Sequence, residues 1–265
     1  MPDSLVITAL GQAGFSFKRD DLTVLIDPYL TDSCDHSLGF PKGFWRRNYP
    51  PPVRPERLCD VDLVLCTHDH LDHLDPGTLR AIAKASPSCR FGGPFVSAGL
   101  MAEAGIESSR ITPLCEGKPF RLRGLTIHPI AAAHETYERD ALGHDRFLGY
   151  VLRWGKFTIF HAGDTVPHRR LSAAVTRYRV DVGFLPINGR DARRRKRGIV
   201  GNMNTKEAAA FAVRHHFGLV VPFHYDLYSA NGASLAEFVA CLDAADPTRR
   251  FKAFRPGESI QFFAS

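Results

Sequence analysis

The chain has 265 residues, of which 44% are hydrophobic and 23% are charged, and this composition supports a sizeable buried core and excludes wholesale disorder. No apolar run approaches the roughly 18 uninterrupted residues that a membrane span needs. The first residues also lack the basic segment and apolar stretch of a secretory signal, so we expect a cytoplasmic protein without a membrane partner.

The formal net charge is +6, and much of the excess lies in one run, GRDARRRKRG, from Gly189 to Gly198. A basic balance indicates an anionic partner, which could be a phosphorylated small molecule, nucleic acid or an acidic surface. The simpler interpretation of residues 193–197 is a solvated loop, in which one or two side chains could still neutralise substrate charge.

The predicted elements begin with three strands separated by Gly or Asp turn signals and continue as an alternation of strands and helices. Five prolines exclude regular structure from Phe40 to Glu56. The predicted strands span residues 5–10, 14–18, 22–27, 61–67, 125–133, 147–154, 156–162, 180–186, 219–224, 251–254 and 259–263. The predicted helices span residues 75–85, 95–105, 167–177, 204–216 and 234–244.

Two of these helices carry capping signals at their starts. Asp75 followed by Pro76 has the form of an N-cap with proline at the first helical position, and Asn204 with Glu207 has the form of a capping box. Strands followed by helices, opened and closed by strand pairs, predict an α/β fold in which helices cover mixed sheets. We therefore expect an αββα sandwich formed by a single domain over residues 1–265.

The stretch CTHDHLDHLDP, residues 66–76, concentrates metal-capable side chains where a predicted strand ends. His68 and His70 are two positions apart, so extended backbone points both side chains to the same side. His73 follows on a tight turn with Asp72 beside it. Imidazole nitrogens and carboxylate oxygens are ligands that zinc and manganese accept. A polar turn is the simpler alternative, but three histidines in six positions favour a metal site.

Four residues cannot complete two metal sites, so further ligands must come from other strand ends. His134, Asp164 and His224 each stand at the C-terminal end of a predicted strand. Gly163 lets the backbone approach closely beside Asp164. Each residue alone is a weak signal, and their order along the chain carries the argument.

That order, HxHxDH, then a histidine, then the Asp of a GDT, then a histidine after an apolar strand, resembles the metallo-β-lactamase superfamily of hydrolases over nearly the whole chain. The resemblance implies a metal site at one edge, between two mixed sheets, holding two divalent ions, zinc or manganese. By position it implies that His68, His70 and His134 bind one ion, that Asp72, His73 and His224 bind the second, and that Asp164 bridges them. It also implies that Asp27, in LIDP, supports a metal-binding histidine by hydrogen bonding.

Three segments are similar to a narrower group of that superfamily, the L-ascorbate-6-phosphate lactonases. They are GQAGF near the start, LPINGRDARRRKRGIVGNMNTKEAA from Leu185 to Ala209, and PFHYDLYSAN from Pro222 to Asn231. The NGRD, GNM and EA string is not required for metal binding and is therefore the more specific signal. This resemblance implies opening of the lactone ring of a phosphorylated sugar acid by a hydroxide that bridges the two metals. Asp72, which orients the hydroxide, and Asp164 are then the catalytic carboxylates.

The same segments supply candidate substrate contacts. Arg190 is expected to bind an anionic group, because a guanidinium binds phosphate in a bidentate way. Six further residues are candidates for binding sugar hydroxyls: Asn188, Asp191, Asn202, Tyr225, Asp226 and Asn231. Simpler roles stay open, since Asn188 could belong to a turn and Asp191 could pair with a neighbouring arginine. The other histidines, including His161 and His168, are interpreted as surface or core-edge residues.

Two rival functions remain. A nuclease or phosphodiesterase of the same superfamily would explain the arginine run, but no appended domain is evident and aromatic residues are not interleaved with the basic run. A non-enzymatic metal-binding protein would keep the fold without the chemistry, and the presence of all seven proposed ligands argues against it. We therefore expect a small phosphorylated substrate and no nucleic-acid partner, while pairing with a second copy at a sheet edge stays open.

Overall fold

The protein's structure, a computed structural model, describes residues 4–37 and 39–263. The chain divides into two compact units. The first unit contains the described residues up to 114 together with residues 254–263, and the second contains residues 115–253. The single domain over residues 1–265 stays a prediction.

Both units are built from strands and helices that are numbered here in chain order. The strands of the described residues are β1 (Ser4–Gly11), β2 (Gly14–Arg19), β3 (Leu22–Ile26), β4 (Leu63–Leu65), β5 (Arg90–Pro94), β6 (Ile111–Leu114), β7 (Phe120–Leu122), β8 (Leu125–Ala131), β9 (Leu148–Trp154), β10 (Phe157–His161), β11 (Val182–Pro186), β12 (Leu219–Phe223) and β13 (Ser259–Phe263). The α-helices are α1 (Ser33–Ser37), α2 (Pro76–Ala85), α3 (Phe95–Glu103), α4 (Arg169–Val175), α5 (Ala192–Lys196), α6 (Thr205–Arg214) and α7 (Leu235–Ala245). None of these helices is long and apolar enough to cross a membrane.

The first unit contains a seven-stranded mixed sheet in the order β13-β1-β2-β3-β4-β5-β6. Strands β13, β1, β2 and β3 pair antiparallel, and β3 to β6 pair parallel. Helix α2 buries Leu79 and Ile82 in the same apolar cluster as Val64 of β4 and Phe91 of β5. The segment from Cys66 to Asp75 therefore leaves the carboxyl end of a buried central strand and leads into a packed helix.

The second unit contains a six-stranded mixed sheet in the order β12-β11-β10-β9-β8-β7. Strand β9 is antiparallel to both β8 and β10, and β10, β11 and β12 are parallel to one another. Strands β8, β10 and β12 therefore run in the same direction, and their carboxyl ends share one edge. Side chains of α4, α6 and α7, including Leu171, Phe211 and Phe238, form one apolar core in this unit.

The two predicted helix starts are confirmed. The Asp75 side chain accepts a hydrogen bond from the Gly77 backbone nitrogen, with Pro76 at the first helical position. Asn204 and Glu207 form a reciprocal capping box at the start of α6. Both signals act within four residues, which explains why the sequence was sufficient to place them.

Other predictions were wrong. No strand forms over residues 251–254, because Phe251 makes only an isolated bridge with Val220. Strand β5 was missed because its sequence, RFGGP, lacks the β-branched residues that mark strands. Glycine is needed there, since a Cβ at Gly93 would lie 3.0 Å from the carbonyl oxygen of Cys66, the residue that follows the neighbouring strand β4. Strands β6 and β7 and the short helices α1 and α5 were also missed.

Candidate metal centre

The HxHxDH motif forms a compact turn between β4 and α2. Backbone nitrogens of His73 and Leu74 both donate to the His70 carbonyl, at 3.0 and 2.7 Å. The His68 ring centroid lies 4.6 Å from that of His70 and 4.1 Å from that of His73. His68 also has a ligand nitrogen within 4.8 Å of one on each of these two histidines. The turn therefore gathers three imidazoles around one point of the first unit.

Asp27 holds His73 in one orientation and, for the neutral ring, in one tautomer. Its carboxylate is fully buried and accepts hydrogen bonds from the Thr67 backbone nitrogen, the Thr67 hydroxyl and His73 Nδ1, each at 2.7 Å. Because Nδ1 carries the donated proton, a neutral His73 has its lone pair on Nε2, which is the form that binds metal. Nε2 lies 3.8 Å from Asp72 Oδ2.

Gln12 is a contact that the sequence analysis missed. Its side-chain nitrogen donates to Asp72 Oδ2 at 2.7 Å, and its backbone nitrogen donates to the Tyr49 hydroxyl at 3.3 Å. Gln12 lies in the turn between β1 and β2 with a positive φ of 53°. The GQAGF stretch marked this turn, but no local pattern indicated a partner 60 positions away. The amide fixes the orientation of the Asp72 carboxylate.

Three of the predicted ligands meet in the second unit. His134 follows β8, Asp164 follows β10 and His224 follows β12, so the shared sheet edge brings them together. Asp164 Oδ2 lies 3.6 Å from His134 Nε2 and 3.3 Å from His224 Nε2. All three side chains are buried. One carboxylate therefore faces two imidazoles through the nitrogens that would bind metal.

A backbone carbonyl fixes the orientation of His134. The Nδ1 atom of His134 donates to the Gly201 carbonyl oxygen at 3.0 Å, which leaves the lone pair on Nε2. The Gly201 nitrogen donates to Glu135 Oε1 at 2.9 Å, and the Met203 nitrogen donates to the Thr165 carbonyl at 2.9 Å. The GNM stretch is thus anchored to the loops that follow β8 and β10.

The donors present fit divalent metal ions. Imidazole nitrogens and carboxylate oxygens suit zinc, manganese and iron alike, and the set itself does not select one of them. In each unit a hydrogen-bond acceptor, Asp27 or the Gly201 carbonyl, holds a histidine Nδ1 and leaves Nε2 as the coordinating atom. Outer hydrogen bonds of this kind are the usual support of metal-binding histidines.

A family model described as the beta-lactamase superfamily domain matches residues 23–225. The chain belongs to this metallo-β-lactamase superfamily. The match begins in β3 and runs past His224, so it includes all seven predicted ligands and Asp27. The protein is a metal-dependent hydrolase of this superfamily.

Similar proteins cover almost the full chain. A UPF0173 metal-dependent hydrolase of Pyrobaculum arsenaticum is 29% identical over 258 residues, 95% of this chain and 97% of that protein. The solved structure of Igni18, a metallo hydrolase of the archaeon Ignicoccus hospitalis, has a TM-score of 0.72 at 21% identity, covering 98% of each chain. An isothiocyanate hydrolase from Delia radicum gut bacteria has a TM-score of 0.75 at 22% identity, covering 98% of this chain and 100% of that one. These likenesses confirm the predicted fold with two mixed sheets.

Three of the predicted substrate contacts in this hydrolase form a buried chain of amides. The Asn202 side-chain nitrogen donates to Asn188 Oδ1 at 3.0 Å, and the Asn188 nitrogen donates to Asn231 Oδ1 at 3.1 Å. All three residues are buried, and Asn202 Oδ1 has no hydrogen-bond partner among the described residues. The structure therefore joins residues that follow β11 and β12 to the GNM stretch.

Arg190 already forms an ion pair with Glu207 of this hydrolase. Its two terminal nitrogens donate to the two Glu207 oxygens at 2.6 and 2.7 Å, and one of them also donates to the Asn202 carbonyl. Hydrogen bonding to Glu207 raises the pKa of Arg190. Binding of a substrate anion by Arg190 stays a prediction. The two guanidinium nitrogens that would bind such an anion already bind Glu207.

The remaining predicted substrate contacts lie at the start of α5 and directly after His224. The Asp191 side chain accepts from the Arg194 backbone nitrogen at 2.8 Å and caps α5. Tyr225 and Asp226 directly follow His224, and Tyr225 packs against the apolar core of the second unit. Burial, with a contribution from Asp226, raises the pKa of Tyr225 to about 12, so its hydroxyl stays protonated at neutral pH.

Proposed function

We propose that this hydrolase opens the lactone ring of a phosphorylated sugar acid such as L-ascorbate 6-phosphate. The observation that carries the proposal is the hydrogen bond from His134 to the Gly201 carbonyl. Gly201 lies in the string that resembles the lactonase group and that contains none of the seven predicted metal ligands. The string therefore contacts a predicted metal ligand directly. A segment that adapts the site to one substrate class is expected to make such a contact.

In this proposal seven side chains hold two divalent ions, zinc or manganese. The first ion is assigned to His68, His70 and His134, the second to Asp72, His73 and His224, and both to Asp164. When bound, such ions lower the pKa of water and polarise an ester carbonyl. The assignment of ligands to the two ions follows their order along the chain.

The protein's own groups orient the reactants. Asp72, fixed by the Gln12 amide, orients the water that adds to the ester carbonyl. Asp27 and the Gly201 carbonyl keep His73 and His134 from rotating. Addition of water with loss of one proton gives a tetrahedral oxyanion. When this collapses to the carboxylic acid, the bond between the carbonyl carbon and the ring oxygen breaks, and the ring oxygen takes up a proton and departs as an alcohol.

Contacts of the arginine run favour a small substrate over a nucleic acid. Arg194 pairs with Asp191 at 3.1 Å, and Arg195 pairs with Glu135 at 3.1 Å. These carboxylates offset part of the positive charge that binding to a phosphate backbone would need. We therefore keep the small phosphorylated substrate as the proposal.

The test compares substrates on the metal-loaded enzyme. We expect kcat/KM for L-ascorbate 6-phosphate to exceed that for bis(p-nitrophenyl) phosphate, RNA and allyl isothiocyanate by at least about 100-fold, because polar groups built for one substrate reject others strongly. Asp72→Ala should remove the lactone activity, which would also exclude a non-enzymatic metal-binding protein. Asp246→Ala, which changes a partly buried residue at the end of α7, is the matched control. Faster turnover of any of the other three compounds would overturn the proposal.

A further inference from the structure

A cavity in the second unit is lined by cationic and neutral polar side chains. Its volume is about 570 Å³, and its lining consists of Tyr137, Arg139, His168, Arg169 and Arg170. No carboxylate is among these lining residues. A concave surface of this composition suits a small anion with several oxygens, because guanidinium groups bind phosphate and carboxylate through paired hydrogen bonds.

The residues that line the cavity belong to two segments, and each segment follows a predicted metal ligand. One segment follows His134 and the other follows Asp164. The bases of these two segments are joined, since the Ala133 nitrogen donates to the Thr165 hydroxyl at 3.1 Å and the Val166 nitrogen donates to the Ala133 carbonyl at 2.9 Å. Three residues span at most about 11 Å, so the Cα of Tyr137 lies within that distance of the Cα of His134. This short spacing is compatible with a single sugar-sized substrate that contacts both places.

The arginines of this cavity outnumber the carboxylates that pair with them. Arg170 binds both Glu116 and Asp145, and Arg139 shares Asp145 at 3.1 Å. Arg169 is exposed and has no ion-pair partner among residues 4–37 and 39–263. Two carboxylates therefore pair with two of the three guanidinium groups, and one of those carboxylates is shared. Arg169 and the partly compensated Arg139 carry the charge that an anion would neutralise.

A neutral donor completes the lining. The Tyr137 hydroxyl contacts His168 Nδ1, which also accepts a hydrogen bond from the Leu171 backbone nitrogen. Burial, together with Arg170, lowers the pKa of His168 to about 4, so the imidazole is neutral near pH 7. Since Leu171 still donates to Nδ1, the Tyr137 hydroxyl can move away from His168 and donate to a ligand without leaving Nδ1 unsatisfied.

We propose that this cavity binds the phosphate group of the substrate, with Arg139 and Arg169 as the cationic contacts and Tyr137 as a hydroxyl donor. Arg190, the residue that the sequence favoured for this role, is already held by Glu207. The inference rests on the proposed function, because it assigns the anionic end of the same substrate. It makes the two arginines specificity-determining residues that leave the ester chemistry unchanged.

The first arm of the test uses a pair of substrates that differ only in the phosphate. Arg139→Gln and Arg169→Gln should each raise KM for L-ascorbate 6-phosphate about tenfold, the loss expected for one charge-assisted contact. For unphosphorylated L-ascorbate, kcat/KM should change less than about twofold, since no contact to that substrate is removed. Arg177→Gln is the matched control, because Arg177 is exposed just beyond the other end of α4 and does not line the cavity.

The second arm measures inorganic phosphate binding to the metal-loaded protein by calorimetry and needs no turnover. Both cavity variants should weaken phosphate binding about tenfold, whereas Arg177→Gln should not. If the protein opens no lactone but phosphate binding still depends on Arg139 and Arg169, the proposed function fails and the anion site stands. Lactone opening with equal losses on both substrates, or phosphate binding that none of the variants changes, would overturn the anion site.

Discussion

Asp164→Ala is expected to abolish lactone opening, lowering kcat/KM at least about a thousandfold, the scale of the transition-state stabilisation that bound metals supply. The physical reason lies in the second unit, where the buried Asp164 carboxylate faces both His134 Nε2 and His224 Nε2. Alanine leaves two imidazoles without the anionic ligand between them, so metal retention should fall as well. Steady-state kinetics and metal analysis on the same preparation measure both effects.

The control for this variant is Asp181→Ala. Asp181 lies in the same unit, just before β11, and its carboxylate accepts from the Thr158 backbone nitrogen at 2.7 Å. Its loss should lower thermal stability and leave metal content unchanged. Full activity and full metal content in Asp164→Ala would contradict the assignment of Asp164 as a metal ligand.

Asp27→Asn is expected to weaken metal binding by about 10- to 100-fold, the usual effect of removing a hydrogen-bond partner of a ligating histidine. Both carboxylate oxygens accept hydrogen bonds from donors, Thr67 on one oxygen and Thr67 with His73 on the other. Asparagine places an NH₂ group against one of those donors in either orientation, so His73 loses its fixed tautomer or the Thr67 nitrogen loses its acceptor. Competition with a chelating dye measures the affinity.

Asp62→Asn separates this effect from a general loss of stability. Asp62 is in the same unit and its carboxylate accepts from the Thr23 backbone nitrogen at 2.8 Å. We expect a lower melting temperature and unchanged metal affinity. If Asp27→Asn behaved in the same way, Asp27 would be a structural residue only.

Local signals in the sequence were sufficient for much of the fold. Asp75 and Asn204 marked helix starts because their capping bonds are made within a few residues. Strand β5 was missed because close packing of neighbouring strands, rather than β-propensity, selects its glycines. Phe251 and its neighbours look like a strand in sequence, yet only one residue there pairs, in a single bridge to Val220.

The sequence likewise indicated only part of the candidate site. The candidate ligands could be placed from sequence because they stand at strand ends in a fixed order. The groups that orient them could not, since Gln12 reaches Asp72 across 60 positions and the Gly201 carbonyl reaches His134 across 67. The capping residue Glu207 has a second role, and nothing in its local sequence indicates that its carboxylate also binds Arg190.

The most direct test of a metal-dependent hydrolase is the metal content of the purified wild-type protein, determined by elemental analysis beside His68→Ala. We expect about two divalent ions per chain in the wild type and a clear loss in the variant. Wild-type protein that binds no divalent ion, even after incubation with zinc or manganese, would contradict the account.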